Sequence, residues 1–145
     1  MTTQPTVTRF APTEDQFAWT FGGYEPVLRV QPGDVLDLFT EDAFAGRIRS
    51  TDDLPSNSIQ YPYINPQTGP FYVEGAEPGD TLAIHLIDVQ PARDWAVSTT
   101  VPLFGALTST KFTPTLQPAL PEKTWQYSVD RAAGEVAFRA LDSDY

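Results

Sequence analysis

Proline and glycine punctuate this chain so evenly that helices of ordinary length have little room. Fourteen prolines and nine glycines are spread from Pro5 to Gly134. Proline removes a backbone donor and clashes with the preceding turn, so each one ends a helix or confines it to a first turn. The pieces left between them read as short strands. "EPVLRV", "DVLDLF", "PFYVEG" and "TLAIHLIDV" are brief apolar runs bounded by turn residues. "TWQYSVD" places Trp125, Tyr127 and Val129 on one face, and "GEVAFRAL" answers with Val136, Phe138 and Ala140. Asp130 to Gly134 then joins the two as a hairpin. Asp34 to Ala45 is the one ambiguous stretch: Val35, Phe39 and Ala43 also suit one side of a helix, and Thr40 to Phe44 suits a helical turn after a strand.

A weak internal echo organises the first half. "VLRVQPGDVLDL" and "FYVEGAEPGDTLAI" each read as strand, Pro-Gly-Asp turn, strand. Proline fixes φ near −65° at the second turn position, and glycine supplies the positive φ that a type II turn needs at the third. Such turns between short strands predict an all-β fold, a jelly-roll-like β-sandwich, with residues 1–145 as a single β domain.

Composition narrows the function. Nine Lys and Arg against nineteen Asp and Glu give a formal net charge of −10. A surface of that sign does not suit phosphate contacts or anionic membranes, so neither nucleic acid nor a membrane is expected as a partner. At 41% hydrophobic the chain can still build a core. There is no cysteine, which excludes disulfides, thiol nucleophiles and blue-copper sites. The N-terminus shows no basic and apolar signal pattern, and no run approaches a membrane span, so a cytoplasmic location is expected.

Candidate chemistry is sparse. His85 is the only histidine, so a three-histidine zinc site cannot form within the chain. Its place in an apolar run reads as a structural strand position rather than a base or ligand. Glu41-Asp42 and Asp52-Asp53 offer hard oxygen donors, but without EF-hand spacing, and acidic pairs in loops are ordinarily solvated. Glu74 differs, because it ends a strand immediately before Gly75, where the backbone is free to turn. The most loaded loop is "NPQTGP". Pro66 and Pro70 stiffen it, while Asn65 and Thr68 display an amide and a hydroxyl.

With those residues in view, "NPQTGPFYVEGAEPGDTLAIHLIDV" closely resembles the signature of the acetamidase/formamidase family: Asn- or His-Pro-x-Thr-Gly-Pro, then Val-x-Gly-Ala-x-Pro-Gly-Asp-x-Leu. "EDAFAGRI" is similar to the family's Asp-x-Phe-x-Gly-Gln segment, and "WAVSTTVPLFGAL" to its Trp-Gly and Pro-Gly-Phe-Gly segments. The likeness runs from about Val27 to Leu141. It implies a jelly-roll-like N-terminal domain and hydrolysis of short linear amides to carboxylate and ammonia. In members that have one, it also implies a divalent-metal site, zinc or calcium. Carried over by position, Glu74 and Asp42 are the implied catalytic residues, and Asn65, Thr68 and Gly69 the implied substrate contacts. Arg47 stands where the family favours Gln, and Leu103 where it has the glycine of Pro-Gly-Phe-Gly. The family's later His-Gly-Gly-Asn-x-Asp segment does not occur in these residues. The expectation is therefore an N-terminal half that is inactive alone and works as a homo-oligomer or with a complementary C-terminal half. The alternative is a truncated, non-catalytic binding or assembly module.

Overall fold

The structure, a computed structural model, describes residues 7–105, 112 and 120–141. Ala106 and Leu107, which end "WAVSTTVPLFGAL", and the end of "RALDSDY" lie outside them. The described chain is nearly all β. Its strands are β1 (Val7–Phe10), β2 (Leu28–Val30), β3 (Val35–Leu38), β4 (Phe71–Val73), β5 (Trp95–Thr100), β6 (Lys123–Asp130) and β7 (Glu135–Phe138), with one helical turn α1 (Pro55–Ser58) and a 3-10 turn at Glu14–Gln16. No helix among them is long and apolar enough to cross a membrane. The residues fall into two compact units, one of Met1–Ala45 and Pro62–Ala92, the other of Gly46–Tyr61 and Arg93–Tyr145.

The first unit is built on two parallel pairs. β1 pairs with β3 from Val7↔Val35 to Phe10↔Leu38, and β2 with β4 from Leu28↔Phe71 to Val30↔Val73. Arg9 and Asp37 are register partners and form an ion pair at 2.9 Å. Both Pro-Gly-Asp turns form as expected. Asp34 N–H donates to Gln31 O at 3.1 Å with Gly33 at φ 94°, and Asp80 N–H donates to Glu77 O at 3.0 Å with Gly79 at φ 103°. Their aspartates have a role that the turn rules alone do not state. Each carboxylate accepts the first residue's N–H, Gln31 to Asp34 at 2.8 Å and Glu77 to Asp80 at 2.9 Å.

These turns do not close hairpins. β2 and β3 flank the first one, yet they belong to different sheets. A type II turn splays its flanking strands, whereas hairpins use the mirror-image turns that match strand twist. The second turn leads into "TLAIHLIDV", and here the sequence expectation fails. No strand or bridge includes Thr81 to Val89. His85 is accordingly not a strand residue but an exposed position in an unpaired run. Alternation and apolar content give a segment strand character, but a ladder also needs a partner edge, and the described residues offer none.

The second unit centres on the antiparallel sheet β5-β6-β7. β6 alternates as expected, with Trp125, Tyr127 and Val129 half-buried and Gln126, Ser128 and Asp130 exposed. The hairpin to β7 pairs Asp130 with Glu135, and the Asp130 carboxylate caps the turn by accepting from Ala132 and Ala133 N–H, both at 2.9 Å. Tyr127 packs on Phe138 with ring centres 5.0 Å apart. The largest fully buried side chains described in this unit are Ile48, at 0% exposure, and Thr124, at 1%. Thr124 Oγ1 donates to Asp53 O at 2.7 Å and so ties β6 to the loop before α1. Ser56 of α1 meets the Glu122 carboxylate through both its backbone N–H and its hydroxyl. Leu103 itself takes the left-handed conformation in a turn, at φ 60°, with Phe104 N–H reaching Val101 O at 3.2 Å. That conformation costs an L-residue roughly 1–2 kcal/mol.

Candidate functional site

All five residues singled out in the sequence lie in the first unit. They do not form one cluster. Four gather where the 39–45 loop meets the 65–70 loop. Asn65 takes φ 56°, a left-handed conformation that asparagine tolerates better than most residues, and its N–H donates to Ala43 O at 2.8 Å. Ala43 follows Asp42, which is half-buried and accepts Phe44 N–H on Oδ1 at 2.8 Å. The same loop is closed by Ala45 N–H donating to Asp42 O at 3.0 Å. Thr40 to Phe44 is thus a capped turn rather than a helix.

Thr68 fastens the two loops from the other side. Its hydroxyl donates to Phe39 O at 2.8 Å. A hydroxyl has one hydrogen and two lone pairs, and a carbonyl can only accept. Toward any ligand, Thr68 Oγ1 is therefore an acceptor. Gly69 is buried with φ 127°, a region closed to side-chain-bearing residues.

Thr68 and Gly69 line a cavity of about 240 Å³ together with Ala18, Phe21, Gln67 and Pro70. Its second wall, the stretch around Ala18 to Gly22, is held by a two-way bridge. Ala18 N–H donates to Gln67 O at 3.0 Å, and Gln67 N–H returns to Ala18 O at 2.8 Å. Nothing in "QFAWTFGG" announces this wall, because it lacks alternation and its partner is about fifty residues away.

Glu74 stands apart. It follows β4, five residues beyond Gly69, or roughly 16 Å along an extended chain. Its carboxylate meets the Arg29 guanidinium twice, at 2.5 Å and 3.0 Å. Arg29 in turn lies over the Tyr72 ring at 3.9 Å. The guanidinium's hydrogen bonds hold the Glu74 carboxyl below the usual glutamate range and raise Arg29 in return. A carboxylate paired in this way is a weak base. Arg29 escaped the sequence reading, although the echo between the two strand–turn segments was the available signal, since those segments supply the β2–β4 pair.

Among the described residues no three His, Cys, Asp or Glu side chains come together. Zinc takes about four ligands and calcium six to eight oxygens. The described residues therefore do not by themselves build either shell.

Comparison with known proteins places this geometry in a family. The chain matches the Acetamidase/Formamidase family over residues 21–137, and it belongs to that family. It is 32% identical to the acetamidase of Yersinia enterocolitica, whose crystal structure superposes with a TM-score of 0.70 over 89% of this chain and 40% of that one. The acetamidase of Bacillus halodurans gives 27% identity and a TM-score of 0.68 over 85% of this chain and 38% of that one. A putative formamidase of Schizosaccharomyces pombe is 31% identical over 72 residues, which are 48% of this chain and 18% of the relative. The chain spans two fifths or less of the length of each of these relatives.

Proposed function

We propose that this chain forms one wall of an amidase that hydrolyses short linear amides to carboxylate and ammonia. The observation that carries the reading is the family match over residues 21–137, inside which the Asn65–Pro70 loop presents Thr68 and Gly69 to a small cavity. A cavity of about 240 Å³ lies below the roughly 300–1,000 Å³ of drug-sized sites, which suits a substrate of a few heavy atoms. Thr68 Oγ1, its hydrogen committed to Phe39 O, would accept an N–H of the substrate's amide. Asp42 is the carboxylate on the loop that Asn65 and Thr68 fasten to that wall. Glu74, paired with Arg29, serves as a fixed negative charge rather than a proton acceptor.

Amide hydrolysis needs a polarised carbonyl, an activated water and a proton for the leaving ammonia. The wall described supplies an acceptor and a carboxylate, and the remaining groups, including the ligands of any zinc or calcium ion, would come from a complementary part. A second reading, a non-catalytic binding or assembly module, draws support from the occupied state of Glu74. Ammonia release from formamide and acetamide separates the two. The 145-residue chain alone is expected to show none, and the chain joined to the remaining part of an acetamidase is expected to turn over. Steady turnover by the purified chain alone would refute the one-wall reading, and an inactive joined protein would favour the binding module.

A further inference from the structure

Thr81 to Val89 carries a density of exposed apolar side chains matched nowhere else among the described residues of the first unit. Leu82 is 60% exposed, Ile84 76%, Leu86 74%, Ile87 69% and Val89 77%. Single exposed apolar residues are ordinary, but five within eight positions mark an interaction surface. The segment joins no ladder or bridge, and its backbone makes no hydrogen bond to another described residue.

Its place in the chain says what it is built for. The two Pro-Gly-Asp turns share one geometry, down to the carboxylate that accepts the first residue's N–H. β2 leads through the first turn into β3, which pairs with β1. β4 leads through the second turn into Thr81 to Val89, which stands where β3 stands in the first copy but has no strand beside it among the described residues. Apolar residues alternate onto both faces of this run, Leu82, Ile84 and Leu86 on one before Asp88, and Ala83, Ile87 and Val89 on the other with His85 between them. A strand of that kind belongs inside a sheet covered on both sides. A second copy of this chain would add one self-complementary edge and would bring its own net charge of −10 against the first. The relatives supply a better occupant. About three fifths of each acetamidase chain has no counterpart here, since this chain covers 40% and 38% of them.

We propose that Leu82–Val89 is a strand-pairing edge that receives the polypeptide equivalent to the part of the acetamidases this chain does not span. Main-chain hydrogen bonds along the edge would give affinity, and pockets for the alternating side chains would give register. The proposal rests on the two-part amidase reading, but its readout is binding, not turnover.

The test co-expresses the tagged 145-residue chain with the part of the Yersinia enterocolitica acetamidase that it does not match, and follows amide hydrogen exchange. The two polypeptides should co-purify in equal amounts. Amides of Leu82 to Val89 should exchange at least about a hundredfold more slowly than in the lone chain, as groups do on moving from a frayed to a structured segment. The double substitution Ile84→Asp, Leu86→Asp should abolish co-purification and leave the lone chain's circular dichroism unchanged, since both side chains face solvent. Protection in the lone chain at every concentration would mean that its own residues cover the edge, and would overturn the proposal. Protection that grows with concentration would assign the edge to a second copy and overturn it equally. Failure to co-purify, or co-purification indifferent to the two aspartates, would also refute it. A complex that forms but releases no ammonia would uphold the docking edge and count against the amidase reading alone.

Discussion

Thr68→Val tests whether the site loop is held by one hydrogen bond. The substitution keeps the side-chain shape and removes the donor to Phe39 O, a bond of 2.8 Å between half-buried partners. Leaving a fully buried acceptor unpaired costs about 1–3 kcal/mol, and partial access to water puts this one in the lower half of that range, about 1–2 kcal/mol. For a chain of this length that is a fall in melting temperature of roughly 3–6 °C. Thr68→Ser keeps the hydroxyl and loses one half-buried methyl, so it should cost less, below about 0.8 kcal/mol. Urea unfolding followed by far-UV circular dichroism measures both, and an unchanged slope would show that only stability moved. The order is the decisive result. If Thr68→Ser is as destabilising as Thr68→Val, the methyl holds the loop and the hydrogen bond does not. In an assembled amidase, Thr68→Val should also weaken amide binding more than Thr68→Ser, because it removes the acceptor facing the substrate.

Two further outcomes follow from the same geometry. Thr124→Val should cost about 1–3 kcal/mol, since Thr124 is 1% exposed and the Asp53 carbonyl loses its donor; Thr124→Ser should cost less, and equal losses in calorimetry would remove the bond from the account. The Glu74 carboxyl is lowered by Arg29, so the pair's contribution is complete above the ordinary glutamate range and is lost as pH falls through the lower folded value. Melting temperatures of the natural chain and Arg29→Gln, measured from about pH 7 to about pH 3, should therefore differ at neutral pH and converge in acid, and a difference that persists in acid would refute the link.

Turn chemistry and hairpin chemistry were legible in the sequence because they are local. Proline at one position and glycine at the next fix a type II turn whatever surrounds them, and both Pro-Gly-Asp turns form. The β6–β7 hairpin was equally readable, with alternation on both strands and a glycine at φ 69° in the connection. The family was legible for a similar reason. Its signature lies in one continuous stretch of loop and turn residues, where backbone geometry restricts the choice of side chain.

The sequence by itself determined an all-β chain, the position of its turns and the loop that carries Thr68 and Gly69. Only the tertiary structure decided which strands pair. β2 and β3 adjoin in sequence yet enter different sheets, because a type II turn splays the strands that a hairpin would hold together. Tertiary structure also separated Glu74 from the other candidates by placing Arg29, 45 residues earlier, against its carboxylate. It left Thr81 to Val89 unpaired despite its apolar run, since a strand is defined by a partner's backbone and no local pattern can supply one.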